Sequence, residues 1–319
     1  MKTFNQKEYV KFILLFLLVL LFVISCKNDK KTMEAAKVEP EKESVIEIST
    51  DAMEFNTVDT ITSGWNTFRY KNNSNETHFF LLEKYPEGKS IYNSKNEVFP
   101  VFDRGMDLIN LGKTEEGYAA FNDLPAWFFE VEISGGSGLI SPKNTSETTL
   151  KLESGNYLME CYVKMPNGKF HASMGMVKSI VVKEEDSGNS PSESLINLAI
   201  SSTEGISYEG NIKKGAQIFS VEFIDQIKHE NFMGHDVNLV KLDDNANLEA
   251  LESWMNWSDP KGLITPAPQG VTFLGGVNDS PVGSVGYFKA NLEAGKYALI
   301  SEVPNALKKG MLITFTISD

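Results

Sequence analysis

The chain repeats itself, and this limits its architecture more than any single residue does. One segment reads ISGGSGLISPKNTSETTLKLESGNYLMECYVKMPNGKFHASMGMVKSIVV, and a later one reads FLGGVNDSPVGSVGYFKANLEAGKYALISEVPNALKKGMLITFTI. Both carry a Gly-Gly pair, at Gly135-Gly136 and Gly275-Gly276. Both then carry a strand, a Gly-x-Tyr turn (Gly155 and Tyr157, Gly295 and Tyr297), a loop, a Gly-Met pair (Gly175-Met176, Gly310-Met311) and a last apolar strand. Upstream, Gly64-Trp-Asn-Thr-Phe68 answers Gly215-Ala-Gln-Ile-Phe219, and a histidine follows each, His78 and His235. Each copy is about 130–140 residues long, enough for one domain.

The copies read as mostly β. Tyr157, Met159, Cys161 and Val163 alternate with Leu158, Glu160 and Tyr162, the period of two that sends one set inward. Ser179–Val182 and Leu312–Ile317 are short and β-branched. A helical insert is expected near 104–121 in the first copy and at Leu248–Trp257 in the second; residues 89–103 suggest no element. Short strands with frequent turn signals favour an all-β sandwich or barrel in each half. The Ser/Glu/Asp/Gly/Pro run at 184–195 reads as the joint. The expected division is a first domain over 45–184, a linker over 185–195 and a second domain over 196–319.

The N-terminus carries an address. Lys2, Lys7 and Lys11 precede an apolar run over 12–24 that is too short to span a bilayer as a helix and matches the core of an export signal. The ending Val23-Ile24-Ser25-Cys26 resembles a bacterial lipobox. That resemblance implies a signal peptide over 1–25, cleavage before Cys26, lipidation of Cys26 and attachment to a membrane. Lys27 follows the cysteine where a retention aspartate would stand, which favours an outer membrane or cell-surface location. The charged stretch over 26–44 reads as a flexible tether.

The formal charge of −13 excludes a nucleic-acid surface, and loss of residues 1–25 would take it to −15. With Cys26 consumed by lipid, Cys161 remains as a free thiol in an oxidising compartment, which calls for burial or for a metal.

The stretch GNYLMECYVKMPNGKFHASMGM resembles the copper-binding end of cupredoxins, the blue-copper domains. The upstream Tyr70-Lys-Asn-Asn-Ser-Asn-Glu-Thr-His78 resembles that family's Asn-containing turn before its first histidine. The resemblance implies a Greek-key β fold in both halves and one copper ligand set, His78, Cys161, His171 and Met176, in the first. The ending His171-Ala-Ser-Met-Gly175-Met176 is closest to the type 1 site of copper nitrite reductases, although the Cys161-to-His171 gap is one position longer than expected. Two imidazoles, a thiolate and a weak thioether suit copper that changes oxidation state. Met174 competes with Met176, but Gly175-Met176 has its counterpart in Gly310-Met311.

The second copy is an internal control. Alignment puts Ser301 at the place of Cys161, and counting back from Met311 reaches Ala306 at the place of His171. It is therefore expected to hold no type 1 copper, with His235 as a hydrogen-bonded structural residue and His229 exposed. Only four histidines, His78, His171, His229 and His235, are present. Multicopper oxidases and nitrite reductases need further histidine-rich copper sites, so an enzyme of either kind is not expected from one chain. No P-loop, zinc-protease, G-x-S-x-G or dinucleotide signature appears, and Asp243-Asp244 and Glu115-Glu116 read as surface acids. Two readings follow. One is a membrane-tethered cupredoxin-like protein for electron transfer or copper handling, with a redox or copper-delivery partner and with Met165, Met174 and Met176 as soft contacts. The other is a metal-free tandem β-sandwich lipoprotein that acts as an interaction or adhesion module, using the helical inserts and Gly-Gly loops.

Overall fold

A computed structural model of the protein describes residues 45–191, 193–229 and 234–318. The expected signal peptide over 1–25, Cys26 and the expected tether over 26–44 lie outside the described residues. Among the described residues no helix is long and apolar enough to cross a membrane.

The fold is all-β in its framework. The first half contributes β1 (Val45–Thr50), β2 (Thr60–Asn72), β3 (Leu81–Lys84), β4 (Glu132–Gly136), β5 (Thr145–Leu152), β6 (Gly155–Glu160) and β7 (Val177–Asp186). The second contributes β8 (Ile196–Ser201), β9 (Gly205–Glu209), β10 (Gly215–Phe223), β11 (Val237–Leu242), β12 (Val271–Val277), β13 (Val285–Leu292), β14 (Gly295–Ile300) and β15 (Leu312–Ile317). Apart from β9, and from a parallel pairing of β7 with β2 that β15 and β10 do not repeat, the pairing is the same twice. β1 runs parallel to β2 as β8 does to β10, and β2 pairs antiparallel with β5 as β10 does with β13. The second sheet of each half has the order β4-β3-β6-β7 or β12-β11-β14-β15. Thirteen residues make β2 long enough to pair with β7 at its start and with β1 and β5 further on.

The two halves join edge to edge. Tyr287, Phe288 and Lys289 of β13 pair with Thr149, Thr148 and Glu147 of β5. Crossed bonds reinforce the seam: Asn278 N–H donates to Gly136 O at 3.1 Å, and Gly275 N–H donates to Leu139 O at 2.9 Å. One cluster of buried apolar side chains runs from Phe68 and Phe80 through to Phe219 and Phe288.

Three sequence expectations need correction. The Gly-Gly pairs are not loops but buried strand ends. Gly135 and Gly275 have φ of 90° and 102°, a region costly for other residues. A Cβ on Gly136 would meet Phe80 O at 1.9 Å, and one on Gly276 would meet Val237 O at 1.9 Å. The motif repeats because two backbones must touch at the same place in each half. Second, the first helical insert begins earlier than expected. Helical turns at Ile91–Asn93 and Ser94–Val98 lead into α1 (Phe99–Asn110) and α2 (Thr114–Ala120). In the second half α3 spans Leu248–Met255. Third, the alternation in β6 separates two faces that are both buried. Tyr157 and Met159 face the main core, while Leu158 packs with Val98, Val101 and Trp127 under the insert. A strand covered on both sides loses its apolar–polar contrast. The joint at 187–189 is pinned: Ser187 Oγ and Asn189 Nδ2 both donate to Trp65 O.

Candidate metal centre

Backbone bonds place each donor before any metal is considered. Asn72 knots the turn ahead of His78. Its Nδ2 donates to Glu76 O and Ile140 O, and its Oδ1 accepts from Ser74 N–H and Oγ–H. His78 then exchanges backbone bonds with Ile140, at 3.2 and 2.7 Å. Cys161 follows directly on β6, and its N–H donates to Met176 O at 3.3 Å. The loop to His171 doubles back through a turn closed by Gly168 N–H on Met165 O, and His171 N–H donates to Val163 O at 2.8 Å. Met176 N–H returns to His171 O at 2.9 Å. The backbone thus ties Cys161, His171 and Met176 to one another.

Three side chains that are distant in sequence converge. His171 Nδ1 lies 3.2 Å from His78 Nδ1, and Cys161 Sγ lies 3.7 Å from His171 Nδ1 and 3.9 Å from His78 Nδ1. All three residues are fully buried. A metal at the centre of a trigonal N₂S set, with bonds of about 2.0 Å to N and about 2.3 Å to S, needs N···N near about 3.5 Å and N···S near about 3.7 Å. The observed separations sit within a few tenths of an ångström of that set.

Burial sets the protonation. It pushes the Cys161 thiol up to about 12 and His78 down to about 4. His171 falls to about 3, through burial and then the His78 charge. Around neutral pH the metal-free group is two neutral imidazoles and a thiol, and a metal entering it must expel the thiol proton. The outer ring nitrogens fit the same picture. With both Nδ1 atoms facing the centre, the ring protons belong on Nε2. Both Nε2 atoms are buried without a hydrogen-bond partner. His171 Nε2 points to Glu76 Oε2 at 3.4 Å, itself buried and otherwise unpartnered, so a carboxylate stands ready to fix that tautomer. The residues present fit one metal ion.

The structure separates Met176 from Met174: the first is fully buried beside the loop, the second 51% exposed. Sequence reasoning missed Glu76, which carries no recognisable spacing.

The second half repeats the frame without the donors. Asn238 pairs with Gly276 and Ile300 as Leu81 pairs with Gly136 and Glu160, so His235 stands where His78 does. Ser301 N–H donates to Met311 O and Met311 N–H to Ala306 O, repeating the bonds of Cys161, Met176 and His171. His235 is buried and hydrogen-bonded. His229, however, is half-buried rather than exposed and lies against it. Lys309 Nζ donates to His229 Nδ1 at 3.3 Å, His229 Nε2 to His235 Nδ1 at 3.3 Å, and His235 Nε2 to Asp225 O at 2.7 Å. Because a lysine only donates, it fixes the direction of the whole relay. The surface acids Asp243, Asp244, Glu115 and Glu116 are exposed, as expected.

No protein-family model matches the chain, and no curated protein matches it. Among solved structures it is similar to auracyanin A, a "blue" copper protein from Chloroflexus aurantiacus. That match has 24% identity and a TM-score of 0.27, and covers 44% of this chain and 98% of that one. It is also similar to a copper nitrite reductase from Nitrosomonas europaea, at 12% identity and a TM-score of 0.24, covering 86% of this chain and 94% of that one. A multicopper oxidase matches at 12% identity and a TM-score of 0.23, covering 86% and 88%. None of these values is high enough to transfer a residue or a role.

Proposed function

We propose that this chain binds one copper ion in its first half and serves as an electron carrier outside the cytoplasm, tethered by lipid on Cys26. His78, Cys161 and His171 supply the strong donors and Met176 the weak axial thioether. The observation that carries the reading is the convergence of three buried donors from two separate segments, with Nδ1, Nδ1 and Sγ all within 4.8 Å of one another. When bound, copper supplies one-electron chemistry. The chain's part is to hold the donors still and dry: each is locked by backbone bonds and none touches solvent, so little would rearrange when the charge changes. A carrier rather than an enzyme is favoured because His229 and His235 are committed to their own relay. The lipobox at Cys26 and the tether support a location on the outer membrane or cell surface, beside a redox or copper-delivery partner.

The test is direct. Residues 26–319, loaded with Cu(II), should take up one ion per chain and show an intense visible thiolate-to-metal band that Cys161→Ser abolishes. A colourless protein without tight copper would leave the metal-free interaction module as the better reading. Acylation of Cys26 should appear in the mass of the N-terminal peptide and vanish in Cys26→Ser.

A further inference from the structure

On the opposite face of β3 and β6 from the metal centre lies a cavity of about 120 Å³. Strand alternation puts Leu81, Glu83, Leu158 and Glu160 on that face, because Leu81 pairs with Glu160 and Glu83 with Leu158. The remaining wall is largely aromatic and comes from both halves: Phe102 and Trp127 from the helical insert, Phe170 from the loop, Trp257 from beyond α3. Phe102 meets Phe170 edge-on at 5.6 Å, and Phe170 stacks with Trp257 at 6.4 Å.

The polar groups here are unanswered. The side chains of Glu83 and Glu160 form no hydrogen bond or ion pair among the described residues, and the charge of Glu160 bears unfavourably on Glu83. Ser173 Oγ and Trp257 Nε1, on two further lining residues, are buried atoms without a partner. Carboxyl groups facing an apolar space without a counter-charge are costly, and aromatic walls favour a cation. A second cavity of about 300 Å³ shares Glu83, Phe128, Val131, Ile133 and Asp279 with the first, and its one lysine, Lys228, acts on Asp279.

We propose that this cavity binds a small organic cation with a flat apolar body, an arylalkylammonium in chemical class, its ammonium held by Glu83 and Glu160 and its ring between Phe102, Trp127 and Trp257. A bare divalent ion is a poor match, because such ions require six or more oxygen ligands and most of this wall is carbon. The site is distinct from the copper reading and stands or falls without it.

Phenethylammonium is the probe, titrated into metal-free residues 26–319 and followed by calorimetry and by tryptophan fluorescence, since Trp127 and Trp257 line the cavity. Saturable one-to-one binding is expected. It should weaken by about ten-fold in Glu83→Gln and in Glu160→Gln, the loss of one charged hydrogen bond, while phenylacetate and toluene fail to saturate. Both variants are near-isosteric, and a single cooperative melting transition at or above that of the wild type would show that they fold. Absence of saturation would overturn the proposal. So would equal binding of phenylacetate or toluene, affinity unchanged in both glutamine variants, or Ca²⁺ or Mg²⁺ binding at the same glutamates in place of the organic cation.

Discussion

The two halves use the same frame to opposite ends. In the first, two imidazoles meet Nδ1 to Nδ1 beside a thiol and leave both outer nitrogens buried without a hydrogen bond, His171 Nε2 with only Glu76 Oε2 at 3.4 Å before it. In the second, an imidazole pair of nearly the same separation is satisfied end to end, from Lys309 through His229 and His235 to Asp225 O. The partner of His235 is not the counterpart of His171, which is Ala306, but His229, from the segment between β10 and β11. A histidine pair is therefore no sign of a metal by itself. What marks the first half is a pair left unsatisfied around a thiol. The frame is common property, and two positions, Cys161/Ser301 and His171/Ala306, set the difference.

The largest test rebuilds one half as the other. Ser301→Cys and Ala306→His restore the missing donors, and His229→Ala releases His235. Copper uptake should rise from one to two ions per chain, with two thiolate bands. Uptake that stays at one would show that the second frame differs in more than those positions.

The next test treats the halves as equal. Gly136→Ala and Gly276→Ala each drive a Cβ into a carbonyl oxygen. Each should destabilise by about 3 kcal/mol or more, at the upper end of overpacking costs, as read by chemical denaturation. A mild effect at either glycine would show that backbone contact is not what the repeated Gly-Gly preserves.

Both halves respond to pH through buried carboxyls. Glu160 in the first half is pushed up to about 7, and in the second Asp236 is pushed up to about 6 and Asp279 to about 7, each first by burial. Glu302, which accepts from Tyr162 at 3.1 Å, is raised well above its ordinary value by burial and then by the Asp236 charge. A raised carboxyl keeps its proton in the folded state when the unfolded chain has lost it. Its contribution is therefore full below about pH 4 and is lost as pH rises. The imidazoles of both halves run the other way: neutral when folded, they contribute above about pH 6.5 and lose that contribution as pH falls towards their lowered values. Glu302→Gln should consequently gain melting temperature on the wild type between about pH 5 and about pH 8. An equal gap at both ends would show that Glu302 is not titrating against folding.

The smallest effects belong to the methionines. Met176→Leu should keep the copper and shift its band, while Met311→Leu should leave the spectrum alone and cost under about 1.5 kcal/mol, as shape-conserving core swaps do. Equal spectra for both would remove the axial role from Met176.

Much of this was legible in the residues. The repeat, the alternation of β6 and the Gly-Met turn have local signals, because strand period and turn chemistry are short-range properties; the grouping of His78 with Cys161 and His171, 83 and 93 positions away, was implied only by the resemblance to cupredoxins. Counting back from Met311 reached Ala306, and the hydrogen bonds agree. Three things escaped. The helical turns over 91–98 carry no clean 3.6 period, since they include a π turn and a proline soon after. His229 reads as exposed between Lys228 and Glu230, yet is covered by Lys309, a residue far along the chain. Glu160 reads only as one member of the alternating set of its strand, and Glu83 carries no signal of its own; the cavity they share is lined by residues of the insert and of the second half.

Order along the chain determined that there are two like units, which strands they contain, and which unit owns a thiol and a second imidazole in the loop. Tertiary structure decided which polar groups are answered and which are left waiting. Satisfaction of a buried hydrogen-bonding atom depends on whatever the fold brings within about 3 Å of it, and sequence distance does not record that.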